Sequence, residues 1–394
     1  MGIFHLISKP DSLRRVLLIP AGVILALFLL EFPALIGVLD YRQVIKPMWG
    51  NEVTNISDPE LLHIKRPYTH SSGQAIGGQI LLLCHIPLSD MTLFRWDIKY
   101  DHNGFRNAVD LKSADLVVIG DSVVEGYTIP DAEVMTSALA RLQGKVVANL
   151  SQYGYGPRQE LILLRRYGLP LQPHTVVWVF YESNDLRDVI EYDWRIKEEN
   201  APKKPPGFRS RFLSPIYERS FTRNAYYRFI EIFSHLFRLP GVKRSGIFET
   251  PDGKRHPTYF VYSAQPFTSQ ELHALDETTH ILAAAHKLSA DHGFRLLVVF
   301  APMKFRVFHG VCQFPQESEC RNWALTDLPE RLRKAVGSVS SDIGYLDLTP
   351  SLVDALRQGR VPYYPDDDHL APEGHKIAAE AINDYLLSTG RSER

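Results

Sequence analysis

Cysteine is scarce in this chain, which has only three in 394 residues. Two neighbouring thiols without further Cys or His at the spacing of zinc ligands are too few for a zinc site, so no metal is expected there. Cys312 and Cys320 bracket a short polar loop, and we expect a disulfide between them, which would require an oxidising compartment. Cys84 lies among apolar neighbours and is expected to be a buried hydrophobic residue.

The chain also lacks an excess of charge of either sign, because its formal net charge is −1. Binding to a nucleic acid normally needs a clear excess of Lys and Arg, so a nucleic-acid partner is not expected. Any argument from charge must therefore be local. Residues 201–260 do contain 12 Lys or Arg against 4 Asp or Glu.

This basic stretch belongs to a segment at about 186–260 that has no convincing buried strand, and we interpret it as an insertion over the edge of the active site. It has three interpretations: a solvated surface excursion, a lid that steers an anionic substrate, or a patch on anionic lipid headgroups. An apolar helical face that suits either of the last two is formed by Tyr226, Tyr227, Phe229, Ile232, Phe233 and Phe237.

Several catalytic and nucleotide-binding motifs are missing. The sequence has no G-x-S-x-G elbow, no Walker A loop and no H-E-x-x-H, and the pair Gly154 and Gly156 lacks the third glycine of a dinucleotide fingerprint. These absences disfavour the larger α/β-hydrolases, P-loop enzymes, zinc metalloproteases and dinucleotide enzymes. No cofactor is expected.

One long hydrophobic run is present at residues 16–39. As a helix it would be about 36 Å long at about 1.5 Å per residue, enough to cross a hydrocarbon core of about 30 Å. Lys9, Arg14 and Arg15 precede the run, which predicts that residues 1–15 are cytoplasmic and that the chain beyond the run is extracytoplasmic, or periplasmic in a bacterium. No small-residue cleavage site closes the run, which favours a retained signal anchor.

A buried core helix is the alternative interpretation of this run. Glu31 places a carboxylate in it, and Pro20 and Pro33 interrupt its hydrogen-bonding pattern.

After a polar lead-in segment at 40–110, with one possible strand at 79–84, the pattern changes. Short apolar runs alternate with longer amphipathic ones, as in βαβ units around a parallel sheet. We therefore predict a three-layer α/β/α catalytic domain over 111–394 with a mostly parallel five-stranded sheet. The predicted strands are 116–119, 146–149, 175–181, 295–300 and 345–348, and the predicted helices are 131–142, 159–167, 269–292 and 372–387.

Gly120-Asp121-Ser122 directly follows the first of these strands. Ligands of an open α/β sheet bind at the carboxyl ends of its strands, so Ser122 would lie where a nucleophile is useful. The motif alone is weak, because Gly, Asp and Ser are also common turn residues.

His369 lies between the last predicted strand and the last predicted helix, after three consecutive aspartates. A serine hydroxyl becomes nucleophilic when an imidazole takes its proton, and a carboxylate must orient that imidazole. Asp366 is our first choice for this carboxylate, and Asp367 or Asp368 could take the same role. The alternative is a solvated acidic loop or a cation site of clustered carboxylates.

These motifs together resemble the signature blocks of the SGNH (GDSL-like) hydrolase superfamily, in order, over roughly residues 100–390. The first block resembles residues 120–126, with Ser122 in the position of the nucleophile. The second resembles 149–154, the third 182–185, and Asp366 with His369 matches the final D-x-x-H block. Residues 101–106 also look like a lead-in segment of membrane-attached members.

The resemblance implies an oxyanion hole formed by the backbone N–H of Ser122, the backbone N–H of Gly154 and the side-chain amide of Asn184. Such donors stabilise the negative charge that acyl transfer builds on the carbonyl oxygen. Glu182 departs from the pattern, because the third block usually begins with Gly. Its bulk is expected to narrow the pocket.

The resemblance implies a serine-dependent ester hydrolase that acts outside the cytoplasm on an acyl ester or acetylated carbohydrate. An alternative is an O-acyltransferase that passes the acyl group to a cell-envelope polysaccharide, since both activities share the catalytic residues. A second alternative is an inert envelope module that only binds a glycan or a protein. The set Ser122, Asp366 and His369 counts against this last alternative, because binding alone does not require it.

Overall fold

The computed structural model describes residues 10–45, 55–83, 86–126, 128–199, 214–237 and 243–391. The chain forms two units. The first consists of residues 1–52 and 202–238, and the second consists of residues 53–201 and 239–394.

Strands and helices are numbered in chain order through both units. The strands are β1 (Asn55–Asp58), β2 (Leu62–Lys65), β3 (His70–Ile76), β4 (Leu93–Lys99), β5 (Leu116–Gly120), β6 (Val147–Ser151), β7 (Thr175–Tyr181), β8 (Ser245–Glu249), β9 (Arg255–Tyr259), β10 (Arg295–Ala301), β11 (Cys312–Gln313) and β12 (Gly344–Asp347). The helices are α1 (Pro10–Leu35), α2 (Tyr41–Val44), α3 (Ser122–Glu125), α4 (Met135–Gln143), α5 (Pro157–Leu163), α6 (Asp185–Glu199), α7 (Ser214–Arg219), α8 (Phe221–Phe237), α9 (Ser269–His292), α10 (Lys304–Phe308), α11 (Leu328–Val339), α12 (Thr349–Arg357) and α13 (Pro372–Arg391).

A five-stranded parallel sheet in the order β12-β10-β7-β5-β6 forms the centre of the second unit. The order reverses at β5, because β6 lies on one side of it while the later strands lie on the other. All residues of β5 and β7 are buried, as expected for strands covered on both faces. The predicted three-layer α/β/α fold is confirmed.

Alternate residues of each strand enter the two cores on either side of the sheet. In β5, Leu116 and Val118 pack with α4, α10, α12 and α13, whereas Val117 and Ile119 pack with α5, α6, α9 and α11. The period-2 alternation of a strand thus places helices on both faces.

Two predicted elements, 175–181 and 269–292, have the same bounds in the structure. Helix α9 is well marked because Thr268 and Glu271 form a capping box at its start, and Gly293 at φ +72° ends it. The other predicted strands and helices of the domain are present with ends shifted by a few residues.

Small antiparallel sheets surround this core. They are the pair β1-β2, the pair β3-β4 and the three-stranded sheet β11-β8-β9. The strand predicted at 79–84 is wrong, because Gln79–Leu82 forms a 3-10 helix, and Cys84 lies outside the described residues.

The segment at 186–260 that was interpreted as an insertion divides into three parts. Its first part forms most of α6, residues 202–238 group with 1–52, and its last part forms β8 and β9. Strands β8 and β9 escaped prediction because they are short, polar and paired at the periphery.

The disulfide expected between Cys312 and Cys320 is a wrong prediction, because both residues are free thiols in the described part of the chain. Cys312 pairs with Phe248 in the small sheet, and Cys320 is buried in a separate 3-10 helix. Burial raises the pKa of Cys312 to about 12 and that of Cys320 to about 11. Both thiols therefore keep their protons at neutral pH and lack the reactive thiolate form.

In the first unit, the residues of α1 that form the apolar run are largely exposed. A window at Leu18–Leu35 is long and apolar enough to cross a membrane, and 6% of it is buried. This low burial does not fit the alternative of a core helix, whose apolar side chains would be covered by protein.

Replacement of Leu332 by Ala tests the packing of α11 on the sheet. Leu332 is fully buried, so the loss of its side chain should lower the free energy of unfolding by about 2–5 kcal/mol. Denaturant titration followed by circular dichroism measures the change. Leu142→Ala on the exposed side of α4 is the matched control, and it should change stability by less than about 0.5 kcal/mol. Equal effects of the two variants would contradict the described packing.

Candidate active site

Ser122 lies at the carboxyl end of β5, at the first position of the short helix α3. The Asp121 carboxylate caps this helix by accepting a hydrogen bond of 2.9 Å from the N–H of Val123. Gly126 ends the helix in the left-handed region at φ +61°. The sharp strand-to-helix turn therefore leaves the Ser122 hydroxyl at the edge of the sheet.

The structure brings His369 to this serine from a distant part of the chain. The distance from His369 Nε2 to Ser122 Oγ is 2.9 Å, across a sequence separation of 247 residues. With the proton on Nδ1, the ring accepts a hydrogen bond from the serine hydroxyl through Nε2. This is the arrangement in which an imidazole acts as a general base toward serine.

The carboxylate that contacts His369 is Asp367, and not Asp366 as expected from the D-x-x-H spacing. His369 Nδ1 is 2.6 Å from Asp367 Oδ1. The side chain of Asp366 is occupied elsewhere, because it accepts hydrogen bonds from the N–H of Gly78 and from the N–H and hydroxyl of Thr92. These donors come from the lead-in segment, so spacing within the loop alone could not exclude Asp366.

Electrostatic coupling between Asp367 and His369 favours the charged form of both. Burial alone would raise the pKa of Asp367, but the neighbouring His369 charge and the hydrogen bonds to the carboxylate bring this pKa below its usual value. Burial alone would lower the pKa of His369, but the charge of Asp367 and their hydrogen bond raise it above its usual value. The pair is arranged to stabilise an imidazolium.

Asp366, Asp367 and Asp368 are all buried, and each carboxylate is bound to a different part of the fold. Besides the bonds of Asp366, Asp367 accepts from the N–H of Gln79, and Asp368 accepts from the N–H groups of Val261 and Tyr262. Within the described ranges, no group of three or more His, Cys, Asp or Glu is arranged to hold a metal ion. Hydrogen bonds, rather than a cation site, account for these carboxylates.

A buried lysine lies under the same loop. Lys304 Nζ lies within hydrogen-bonding distance of the backbone carbonyls of Tyr259, Tyr364, Pro365 and Asp367, at 2.6, 2.7, 2.8 and 3.2 Å. Its three N–H groups are shared among these four acceptors. Burial lowers the pKa of Lys304 to about 8, although the nearby carboxylates, chiefly Asp368, oppose this effect. Lys304 therefore keeps its charge at neutral pH and holds the backbone that carries Asp367 and His369.

The lead-in segment approaches this loop at Gly78. A Cβ atom at position 78 would lie 2.2 Å from the carbonyl oxygen of Asp366. Only glycine allows this approach, which lets the 78–79 backbone donate to Asp366 and Asp367.

Arg106, also in the lead-in segment, supports the other side of the site. Its guanidinium donates to the carbonyls of Glu125, Gly126 and Ile129, directly after the Ser122 helix. It also pairs with Asp131 at 2.7 Å. Arg106 was noted from the sequence only as the last residue of the lead-in motif at 101–106, without a role. Lys304 was not noted at all, because no motif marks a cation whose partners are backbone carbonyls.

Gly154 follows β6 and lies at the same edge of the sheet, since Ser151 pairs in register with Gly120. Gly154 has φ +72°, a left-handed conformation that favours glycine. In the part of the chain that the structure describes, no acceptor is bound to the N–H of Gly154 or to that of Ser122.

The side-chain amide of Asn184 was expected to be a free oxyanion donor, but it already donates to other residues. Its nitrogen donates to Asp121 at 3.0 Å and to Asp188 at 2.8 Å. Both amide hydrogens are therefore engaged. Burial raises the pKa of Asp188 to about 6 against the opposing effect of Arg187.

Two further buried carboxyls lie below this amide. Glu160 accepts from the indole N–H of Trp178, and Asp185 accepts from the N–H of Tyr181. Burial raises both pKa values well above their usual range, and the charges of Asp121 and Asp188 raise them further.

The side chain of Glu182, which was expected to narrow the pocket, turns to Arg306. The two form a buried ion pair in which Nε and Nη2 of Arg306 both donate hydrogen bonds to the Glu182 carboxylate. The N–H of Met303 also donates to Glu182 at 2.9 Å. Glu182 thus joins the ends of β7 and β10.

A polar cavity of about 160 Å³ lies beside Asn184 at this edge of the sheet, and Glu182, Arg187, Tyr262 and Gln265 are among its lining residues. A larger cavity of about 590 Å³ is lined by Asp115 and His174 and lies at the amino ends of the strands. Ligands of doubly wound sheets bind at the carboxyl ends of the strands. The smaller cavity lies at that end, and Asn184 lines it, whereas Ser122 and His369 are not among its lining residues.

His375, in the first turn of α13, is fully buried and accepts a hydrogen bond from the N–H of Met135. Burial lowers its pKa to about 3. This neutral histidine joins α13 to α4.

Comparison with known proteins finds solved structures with a similar fold but no matching sequence family. No protein-family model matches the chain, and no curated protein matches it. Similar solved structures include a GDSL-like lipase from Bacteroides thetaiotaomicron, with 13% identity, a TM-score of 0.33, and coverage of 70% of this chain and 88% of that one. An acetyl xylan esterase from the rumen bacterium Butyrivibrio proteoclasticus has 12% identity, a TM-score of 0.33, and coverage of 76% and 74%.

A carbohydrate esterase family 2 enzyme from Corynascus has 10% identity, a TM-score of 0.35, and coverage of 77% of this chain and 74% of that one. With likeness at this level, the fold is defined by the strand order described above. The chemistry is inferred from the contacts of Ser122, His369 and Asp367.

Exchange of each aspartate for Asn distinguishes the two candidate orienting carboxylates. Asp367→Asn removes the charge that raises the pKa of His369, so this pKa should fall below the wild-type value. Asp366→Asn should lower it much less. Titration of the His369 ring by NMR, assigned with His369→Gln, measures both shifts, and thermal unfolding shows that each variant is folded. A larger shift in Asp366→Asn would contradict the described geometry.

Replacement of Lys304 by Met tests its role under the acidic loop. The variant removes the ammonium that these four carbonyl oxygens share. Pro365 O keeps the N–H of Tyr259 as a donor, and each carbonyl left unpaired costs about 1–3 kcal/mol. We expect a loss of at least about 3 kcal/mol in the free energy of unfolding. Denaturant titration measures this loss, with Lys334→Met on the exposed side of α11 as the control. A stability close to wild type would rule out this role.

Proposed function

We propose that this chain is a serine-dependent ester hydrolase of the SGNH type, which forms an acyl-enzyme on Ser122. The observation that carries the proposal is the continuous contact from Ser122 Oγ through the His369 ring to Asp367, at 2.9 and 2.6 Å. A serine without such partners is a poor nucleophile at neutral pH.

In the proposed reaction, His369 Nε2 takes the hydroxyl proton as Ser122 Oγ attacks the ester carbonyl. Asp367 holds the ring in position and stabilises the imidazolium. His369 then gives the proton to the leaving alcohol, and the acyl group stays on Ser122. Water, activated by the same ring, would release the acid and restore the serine.

The N–H groups of Ser122 and Gly154 are the proposed immediate donors to the oxyanion. Asn184 would join them by exchanging its hydrogen bond to Asp188 for one to the oxyanion. Preorganised donors of this kind typically contribute about a hundred- to a thousandfold each to the rate.

We propose a carbohydrate ester as the substrate class. The cavity beside Asn184 is lined by polar groups, including Arg187 and Gln265, and by the ring of Tyr262. Hydroxyl-rich ligands suit such a lining, because each polar group can be paired and an aromatic ring can pack on the apolar face of a sugar. The same cavity could hold an acceptor sugar, which keeps O-acyltransfer as the second candidate.

We further propose that α1 anchors the chain in a membrane and that the second unit works outside the cytoplasm. The support is the exposed apolar window at Leu18–Leu35 and the basic residues that precede it.

Hydrolysis of p-nitrophenyl acetate by the full chain in detergent tests the proposed nucleophile. Ser122→Ala should lower kcat by at least about 10⁴-fold, because the acyl-enzyme cannot form. Ser113→Ala, before β5 at the opposite edge of the sheet, is the matched control and should keep wild-type activity.

Because neutral His369 is the base and its pKa is raised, the rate should fall as the pH drops through a value above 6.5.

A second series adds a neutral oligosaccharide and follows acylated sugar by mass spectrometry. Its formation at the expense of free acetate would favour the acyltransferase. If the wild type shows no turnover and a fluorophosphonate probe does not label Ser122, the proposed enzyme function is wrong and a binding module becomes the better explanation.

A further inference from the structure

Helices α7 and α8 cover one end of α1 and leave the rest of it exposed. Near that end, Ala34 and Tyr41 are 2% and 7% exposed, whereas Ile19 and Ile24 are 70% and 67% exposed. The packing partners of α1 in the first unit therefore meet it where the chain leaves the apolar window.

Glu31 fixes this meeting point. Its carboxylate accepts hydrogen bonds from the N–H of Phe221 at 3.0 Å and from the N–H of Thr222 at 2.6 Å, in the first turn of α8. A carboxylate inside a membrane span is costly unless it is paired, and these donors offset that cost. Glu31 thus binds α8 to the span itself.

The position of Glu31 also sets the depth of α8. Glu31 lies inside the apolar window that ends at Leu35, which is about 6 Å further along the helix at about 1.5 Å per residue. The first turn of α8 must therefore lie at the level of the last turn of the span. Two more contacts hold it there: Arg219 with Asp40 at 3.8 Å, and the rings of Tyr41 and Phe221 at 5.2 Å.

The side chains that α7 and α8 expose are of the kinds found at membrane interfaces. Tyr217, Tyr226, Tyr227 and Phe229 are between 54% and 59% exposed. The guanidinium of Arg223 lies over the rings of Tyr217 and Tyr227, at 5.6 and 5.0 Å. Tyrosine rings and long basic side chains favour the headgroup region, because each has an apolar body and a polar end.

The charge of the segment also suits lipid. Residues 202–238 contain 8 Lys or Arg and 2 Glu. A basic segment next to a span is attracted to anionic headgroups, and the attraction grows with each basic residue close to the surface.

We propose that α7 and α8 lie in the headgroup layer of an anionic membrane, beside the end of α1, with Tyr226, Tyr227 and Phe229 facing lipid. The proposal rests on α1 being the membrane anchor. The first unit then consists of one membrane span and one interfacial helix pair, and α7 and α8 are neither a lid nor a solvated excursion.

The test uses the full chain in vesicles of phosphatidylglycerol and phosphatidylcholine, with its three native cysteines replaced by Ser. An environment-sensitive NBD probe is attached at Tyr227→Cys. The matched control carries the same probe at Leu272→Cys, on α9 of the second unit. Quenching by lipids with a spin label in the headgroup region, and by iodide in water, is measured for both.

We expect several-fold stronger quenching by spin-labelled lipid at position 227 than at 272, with weaker quenching by iodide. Equal quenching by iodide at the two positions, in protein that floats with the vesicles, would overturn the proposal while leaving the anchor intact. A probe shielded from both quenchers would also overturn it and would indicate a protein partner, such as a second copy. Failure of the chain to float would show that the anchor itself is wrong. A probe at Tyr226→Cys guards against a local effect of one substitution.

Discussion

The buried ammonium of Lys304 is the interaction on which the rest of the site depends. Three consecutive aspartates are buried in the loop that carries His369, and carboxylates removed from water repel one another strongly. Lys304 places one positive charge under that loop and binds four of the surrounding carbonyls. Without Lys304, opening of the acidic loop toward solvent would lower the free energy of the chain, and His369 would move with the loop.

The lead-in segment completes this arrangement from outside the sheet. Its backbone at Gly78 and Gln79 donates to Asp366 and Asp367, and Arg106 holds the chain just after Ser122. The described parts of residues 55–110 therefore belong to the same unit as Ser122 and His369. The three aspartates differ in task because each meets different donors: only Asp367 faces the imidazole.

Much of this fold could be predicted from the sequence, because buried parallel strands and capped helices leave local patterns. The run 175–181 is continuously apolar, and Thr268 with Glu271 marks the start of α9, so their bounds were found from the sequence alone. Peripheral elements such as β8 are short and polar and left no such pattern. The presence of serine and histidine at strand ends was also predictable, since their motifs are local.

Other features depended on contacts between distant residues. Asp366 and Asp367 are adjacent in sequence and chemically identical, and only the position of Thr92 and Gly78 separates their roles. The bond between Asn184 and Asp188, the pair of Glu182 with Arg306, and the free state of Cys312 and Cys320 likewise follow from tertiary packing. The contact between Glu31 and α8 joins segments 190 residues apart, which no local pattern could reveal.

The separation between Gly78 and Asp366, which is 288 residues, has a consequence for the order of events in the cell. Ser122 and the lead-in segment leave the ribosome long before the loop of Asp367 and His369. Ser122 therefore cannot contact His369, and the donors at Gly78 and Thr92 cannot meet the Asp366 carboxylate, until nearly the whole chain has been made. Contacts so far apart in sequence also slow folding, because a large loop must close before they can form. In the proposed enzyme, Ser122 thus gains its base only after residues 366–369 have joined the fold.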